Sequence, residues 1–102
     1  MVNPLRIKVE ILPWLSNSMR PGHIGSIRFE HELAGSSFRD LLDELARDDA
    51  AFAELIYDPQ SGDMKYPAQG IVNGKLLEFL GGLDARLSAG DTATFIATYT
   101  GG

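Results

Sequence analysis

The sequence contains no cysteine. It can therefore form no disulfide, present no thiol nucleophile and build no zinc–thiolate site, so any sulfur chemistry it takes part in must be carried out by other proteins. Positive charge is also scarce: nine Lys and Arg stand against fourteen Asp and Glu, giving a formal net charge of -5. Nucleic-acid phosphates require a basic surface, which makes direct binding to nucleic acid an excluded expectation and a basic protein the natural charge-matched partner. No apolar run approaches the ~20 residues that cross a bilayer, so no membrane role is expected. The opening "MVNPLRIKVEIL" has no basic segment followed by an apolar one, and the expected location is cytoplasmic. The two histidines, His23 and His31, stand too far from other ligating residues for a metal or a catalytic triad, and both read as structural. There is no GxxxxGK[ST] loop, so the chain is expected to bind neither ATP nor any other cofactor itself.

What is present is an ordinary globular composition. With 102 residues, 44% hydrophobic and 23% charged, the chain is one domain spanning 1–102, long enough for a single core. Residues 5–12 alternate, with Leu5, Ile7, Val9 and Ile11 on one face and Arg6, Lys8 and Glu10 on the other, which predicts a half-buried strand. A Pro-, Ser- and Gly-rich stretch over 13–25 reads as a long loop, in which Trp14 is expected to act as a lid on the core. Alternation resumes at Ile27, Phe29, His31 and Leu33 and predicts a second strand.

The period then changes. Phe38, Leu41, Leu42 and Leu45 recur at helical spacing, Ser37 can cap the first turn, and Asp40 completes a capping box. A short helix over 50–56 follows, capped by Asp48 or Asp49. "YDPQSGDMKY" reads as a turn between two short extended pieces. Asn73-Gly74 between apolar runs predicts a hairpin, Leu83 and Leu87 pin a glycine-punctuated turn, and "TATFIATY" is strand. Asp40, Asp43, Glu44, Asp48 and Asp49 read as a solvated acidic helix face. The order is that of an α+β roll, a mixed four- to five-stranded sheet packed on one main helix, with the last strand placed centrally beside the first.

The chain as given ends "TYTGG". If the last strand stops near Tyr99, residues 99–102 form a flexible tail, because glycine loses the most entropy on being ordered. A Gly-Gly segment has no side chains, can thread a channel too narrow for other residues, and carries a sterically open carboxylate. That carboxylate becomes a donor only after activation, ordinarily by attack on ATP to give an acyl adenylate. With no nucleotide site in the chain, the activating enzyme has to be a separate protein. On the final strand either Phe95 or Ile96 must face outward.

The run "VNGKLLEFLGGLDARLSAGDTATFIATYTGG" resembles the C-terminal part of the ubiquitin-like sulfur carriers, the group that includes the small subunit of molybdopterin synthase and the thiamine sulfur carrier. Asn73, Gly74, Leu83, Leu87, Gly90, Asp91, Phe95, Gly101 and Gly102 carry the resemblance. The ending "FIATYTGG" is also similar to that of the ubiquitin-related modifier that serves tRNA thiolation. The resemblance implies a β-grasp fold and a non-enzymatic carrier whose Gly102, preceded by Gly101, is adenylated by a partner resembling ubiquitin-activating enzymes. A sulfurtransferase persulfide would then supply sulfur, and an acceptor such as the molybdopterin synthase large subunit would receive it. Phe95, Ile96, Thr98, Tyr99 and Thr100 are the residues expected to face those partners. Molybdopterin synthesis is the first pathway implied, although Ala97 and Thr98 stand where that branch commonly has prolines. Carriage of sulfur for thiamine, cysteine or tRNA thiolation, and use as a protein modifier joined to lysines, stay open.

Overall fold

Strand β1 (Leu5–Ile11) buries Ile7, Val9 and Ile11 and turns Arg6 and Lys8 to solvent, as its period-2 pattern dictates. The computed structural model describes residues 4–98; Tyr99, Thr100, Gly101 and Gly102, on which the tail expectations fall, lie outside them. β1 pairs antiparallel with β2 (Ile27–Leu33) and parallel with the last strand, β7 (Thr92–Ala97). Between them in sequence come β3 (Tyr57–Asp58) with β4 (Asp63–Met64), a separate two-stranded ribbon, then β5 (Ala68–Val72) and β6 (Lys75–Leu76). The main sheet has the order β2-β1-β7-β5-β6, so the final strand is central and lies beside the first. This is a mixed sheet of the four- to five-stranded kind that the sequence pattern predicts, in the β-grasp arrangement that the resemblance implies.

Among the described residues three α-helices accompany the sheet: the main helix and the short one that the sequence predicts, and one more. The principal one, α2 (Phe38–Asp48), starts with a complete capping box: Ser37 accepts from the Asp40 amide, and Asp40 accepts from the Ser37 amide. Its apolar stripe of Phe38, Leu41, Leu42 and Leu45 lies on the sheet, where Phe38 meets Phe95 at a ring separation of 5.7 Å. Helix α3 (Ala50–Leu55) is capped by Asp49, and its Phe52 packs edge-on to Phe95 at 5.3 Å. Phe95 is thus the centre of the core.

The third helix, α1 (Pro13–Met19), falls inside the stretch expected to be a loop. Pro13 at its first turn supplies a pre-set φ, Leu15 and Met19 enter the core four residues apart, and Ser16 is fully buried. The Ser16 hydroxyl lies 2.7 Å from the Gly25 carbonyl, which fastens α1 to the loop that follows. Only two apolar residues at helical spacing, set among Ser and Asn, announced this helix. Trp14 is correspondingly not a lid: it stands on the solvent side of α1 and is 52% exposed. None of the helices among the described residues is long and apolar enough to cross a membrane.

The turns follow their expected chemistry. Asn73 and Gly74 take positive φ values of 51° and 83° between β5 and β6, the geometry of a tight hairpin with matching twist. Asn73 also reaches across to β7, accepting from the Thr92 amide at 2.9 Å and donating to Asp91 at 3.0 Å. Leu87 and Ala85 are buried beneath the glycine-rich connection, with Leu83 half-buried beside them.

Candidate functional site

The sheet releases its central strand asymmetrically. On one flank the pairing of β7 with β1 ends at Ile11 opposite Phe95, and the Leu12 amide donates to the Phe95 carbonyl at 3.0 Å. From there the chain turns into α1. On the other flank Ala97 pairs with Ala68, and the Thr98 amide donates to the Pro67 carbonyl at 2.9 Å. The backbone therefore leaves the sheet at Thr98, with α1 on one side and the approach to β5 on the other. Thr98 is half-buried, and its Oγ1 is buried without a hydrogen-bond partner among the described residues.

Along β7 the two faces divide. Ala93 and Phe95 are fully buried, so Phe95 does not belong to a partner-facing surface; its expected place there is corrected by its central position against Phe38 and Phe52. Ile96 lies on the opposite face. Register places Gln69 opposite Ile96, and Ile71 opposite both Thr94 and Leu76. Ile96, Ile71 and Leu76 consequently share the outer face of the sheet, and all three are half-buried. Toward β1 and β2 that face becomes charged, with Arg28 bonded to Glu10 at 2.7 Å and Arg6 3.4 Å from Glu30 and Glu32. Exposed pairs of this kind contribute little to stability. The outer face is apolar beside the exit of β7 and polar away from it.

Most of the acidic residues of α2 are tied inward rather than solvated. Burial alone would raise the Glu44 carboxyl, but hydrogen bonds from His31 at 2.8 Å and from the Ala34 and Gly35 amides outweigh it and hold the group below its ordinary value. Asp40 is held low by the Ser36 and Ser37 amides. Asp49 is raised by burial but lowered further by Arg20, whose guanidinium donates at 2.7 Å, and by the Ala51 amide. Asp43 accepts from the Tyr57 hydroxyl at 2.8 Å. Only Asp48 of the five is exposed. These carboxylates bind the helix to its neighbours, and His31 is structural in the same way. Among the described residues no three His, Asp or Glu side chains are grouped to hold a metal ion.

Two residues at the exit carried little sequence signal. Tyr66 precedes Pro67, the residue that accepts the Thr98 amide, and is 67% exposed. Nothing in "KYPA" marks it; only the register of β5 against β7 brings it there. On the other flank helix α1, which forms where a loop was expected, packs against β7, and Trp14 lies in its first turn.

No family model matches the sequence, and no curated protein matches it at a significant level. Solved structures do. Urm1 from Trypanosoma brucei is 24% identical over the whole of both chains, with a TM-score of 0.67. The small archaeal modifier protein 1 from Methanosarcina acetivorans is 16% identical, with 99% of this chain and 100% of that one covered and a TM-score of 0.68. A molybdopterin converting factor subunit 1 from Pyrococcus furiosus is 19% identical over 93% of this chain and 99% of that one, with a TM-score of 0.61. The chain has the β-grasp, ubiquitin-like fold of these proteins, and the likeness of fold covers 93% or more of its length.

Proposed function

We propose that the chain is a sulfur carrier whose working group is the carboxylate of Gly102. The observation that carries the reading is the geometry of β7: the central strand of the sheet delivers the backbone at Thr98 to one end of the domain, four residues before a Gly-Gly terminus. A partner resembling ubiquitin-activating enzymes binds ATP, which this chain has no phosphate loop to hold, and a Gly102 oxygen attacks the α-phosphorus to release pyrophosphate. The outer sulfur of a sulfurtransferase persulfide then attacks the acyl adenylate and displaces AMP, giving an acyl disulfide, and a second thiol cleaves its S–S bond, leaving the thiocarboxylate on Gly102 and a disulfide between the two thiols. The carrier itself catalyses nothing; Tyr99, Thr100 and Gly101 are the stretch that enters the partner's channel.

The acceptor we favour is the large subunit of a molybdopterin synthase, in the cytoplasm. The likeness to a molybdopterin converting factor subunit, over 93% of this chain, supports it. A second reading, a protein modifier joined to target lysines through Gly102, is supported by the likeness to a small archaeal modifier protein over 99% of this chain. Removal of Gly102 tests the common mechanism: carrier function should be lost while the unfolding transition is unchanged, because a residue left free for a partner enzyme would have no part in folding. A large loss of stability would contradict it. Conjugates of higher mass on a denaturing gel would favour the modifier, and a single free species with a biosynthetic requirement on deletion would favour the carrier.

A further inference from the structure

The sheet order ends on β2, and among the described residues no strand pairs with its outer side. The opposite edge, β6, is two residues long, the short form by which folds keep an edge from adding strands. β2 has no such guard. Its pairing with β1 runs over seven residues without a bulge, and its sequence "IRFEHEL" contains neither proline nor glycine.

The hydrogen bonds of β1 determine which backbone groups this edge offers. The Lys8 and Leu12 amides donate toward β7, to the Asp91 and Phe95 carbonyls, and the Arg6 carbonyl accepts on the same side from Gly90. The N–H and C=O of one strand residue point to one side, and that side alternates along the chain. Ile7, Val9 and Ile11 therefore address β2, where they stand opposite His31, Phe29 and Ile27. The amides and carbonyls of Arg28, Glu30 and Glu32 are left pointing away from the sheet.

A strand added antiparallel must set outward-pointing residues against these three, and the charges then choose among registers. For a second copy of β2, centring on Arg28 sets that residue against itself. Centring on His31 sets Glu30 against Glu32. Centring on Glu30 keeps Arg28 against Glu32 but brings the two Glu30 carboxylates together. Centring on Phe29 places Arg28 of each copy opposite Glu30 of the other, with no like charges opposed. Both side chains are more than half exposed, and Arg28 already bonds Glu10 on β1, so the new pairs continue a charge ladder across the outer face.

The inner face agrees with that register. Phe29 is 40% exposed and stands at a cleft of about 300 Å³ lined also by Met19, Ile27, Leu45 and Phe52. Centred on Phe29, the two rings form a non-hydrogen-bonded cross-strand pair, the closer of the two kinds, and cover each other beside their clefts. We propose that β2 is the interface for a second copy of this chain, joined antiparallel about Phe29 so that the two sheets become one. A contact of one strand edge is smaller than a standard stable interface, so the dimer is a weak one. Two chains of net charge -5 repel at long range, but at physiological ionic strength that repulsion is screened beyond about 8 Å, while the Arg28 and Glu30 side chains are in contact.

The test is sedimentation equilibrium of the full chain over a range of concentration at physiological salt. The wild-type mass should climb from monomer toward dimer. Arg28→Glu and Glu30→Arg should each weaken association about tenfold or more, since each sets like charges opposite one another. Their unfolding transitions should move little, because the pairs they lose on β1 are exposed. An equimolar mixture of the two variants should associate again, and so should the double variant Arg28→Glu/Glu30→Arg, because opposite signs meet once more. A wild-type chain that stays monomeric throughout overturns the proposal and leaves this edge to a strand of another protein. A dimer that both single reversals leave intact places the contact elsewhere, and a mixture no better than its components overturns the register.

Discussion

Gly70 lies against the ring of Phe38: a β-carbon built on Gly70 would stand 2.7 Å from Phe38 Cζ. Phe38 is fully buried and tilted against Phe95, so the ring has nowhere to retreat. Gly70→Ala should therefore destabilise the domain by about 1–3 kcal/mol through overpacking. Urea unfolding checks this. An unchanged midpoint would mean that the α2–sheet contact is loose enough to admit a methyl group.

Asn73 joins two parts of the sheet that the sequence keeps eighteen or more residues apart, holding Asp91 and the Thr92 amide while occupying a positive φ. Asn73→Ala should cost about 1–2 kcal/mol, from two lost hydrogen bonds and a strained backbone. Asn73→Gly relieves the backbone and keeps only the hydrogen-bond loss. The difference between the two variants in denaturant midpoint separates the contributions.

The carboxylates of Asp40, Glu44 and Asp49 are each held below their ordinary values. A group whose folded value is depressed contributes stability above its unfolded value and loses that contribution as pH falls through the folded one. Stability should thus be level near neutrality and decline as the medium is acidified below the ordinary carboxylate range, from about pH 4.5 downward for Glu44. Glu44→Gln should lower stability at pH 7 and flatten its share of the acid decline. Urea midpoints measured across pH for both proteins would show it.

The two faces of β7 should separate folding from recognition. Phe95→Ala removes the centre of the core and should cost about 3–5 kcal/mol. Ile96→Asp, on the outer face, should leave the unfolding transition nearly in place and weaken acceptance by the adenylating enzyme. If both variants unfold alike, the facing of the strand is wrong; if neither alters acceptance, the outer face is not used.

Much of this was legible before the structure because local rules agreed with the global fold. The alternation in β1, the capping box of Ser37 and Asp40, and the Asn73-Gly74 turn each specify one geometry, and each appears, while of the two possible caps of α3, Asp48 and Asp49, the structure uses Asp49. Helix α1 was hidden because its stability comes from Leu15, Met19 and the buried Ser16 contact with Gly25, which are tertiary facts rather than propensities. The acidic face of α2 was misread for the same reason: sequence gives the positions of Glu44 and Asp49 but not the His31 and Arg20 that meet them. At the site, the pattern on β7 required that Phe95 or Ile96 face outward, and only packing against Phe38 and Phe52 selects Ile96. Tyr66 became visible only through the pairing of β5 with β7.

The central claim is that Gly102 is the chemically reacting group. Its most direct test is the intact mass of the chain, carrying its native C-terminus, after incubation with ATP, a sulfide source and the adenylating enzyme of the same organism. The account predicts replacement of one oxygen by sulfur, localised by fragmentation to Gly102. An unchanged mass, with an enzyme shown to be active, would contradict it.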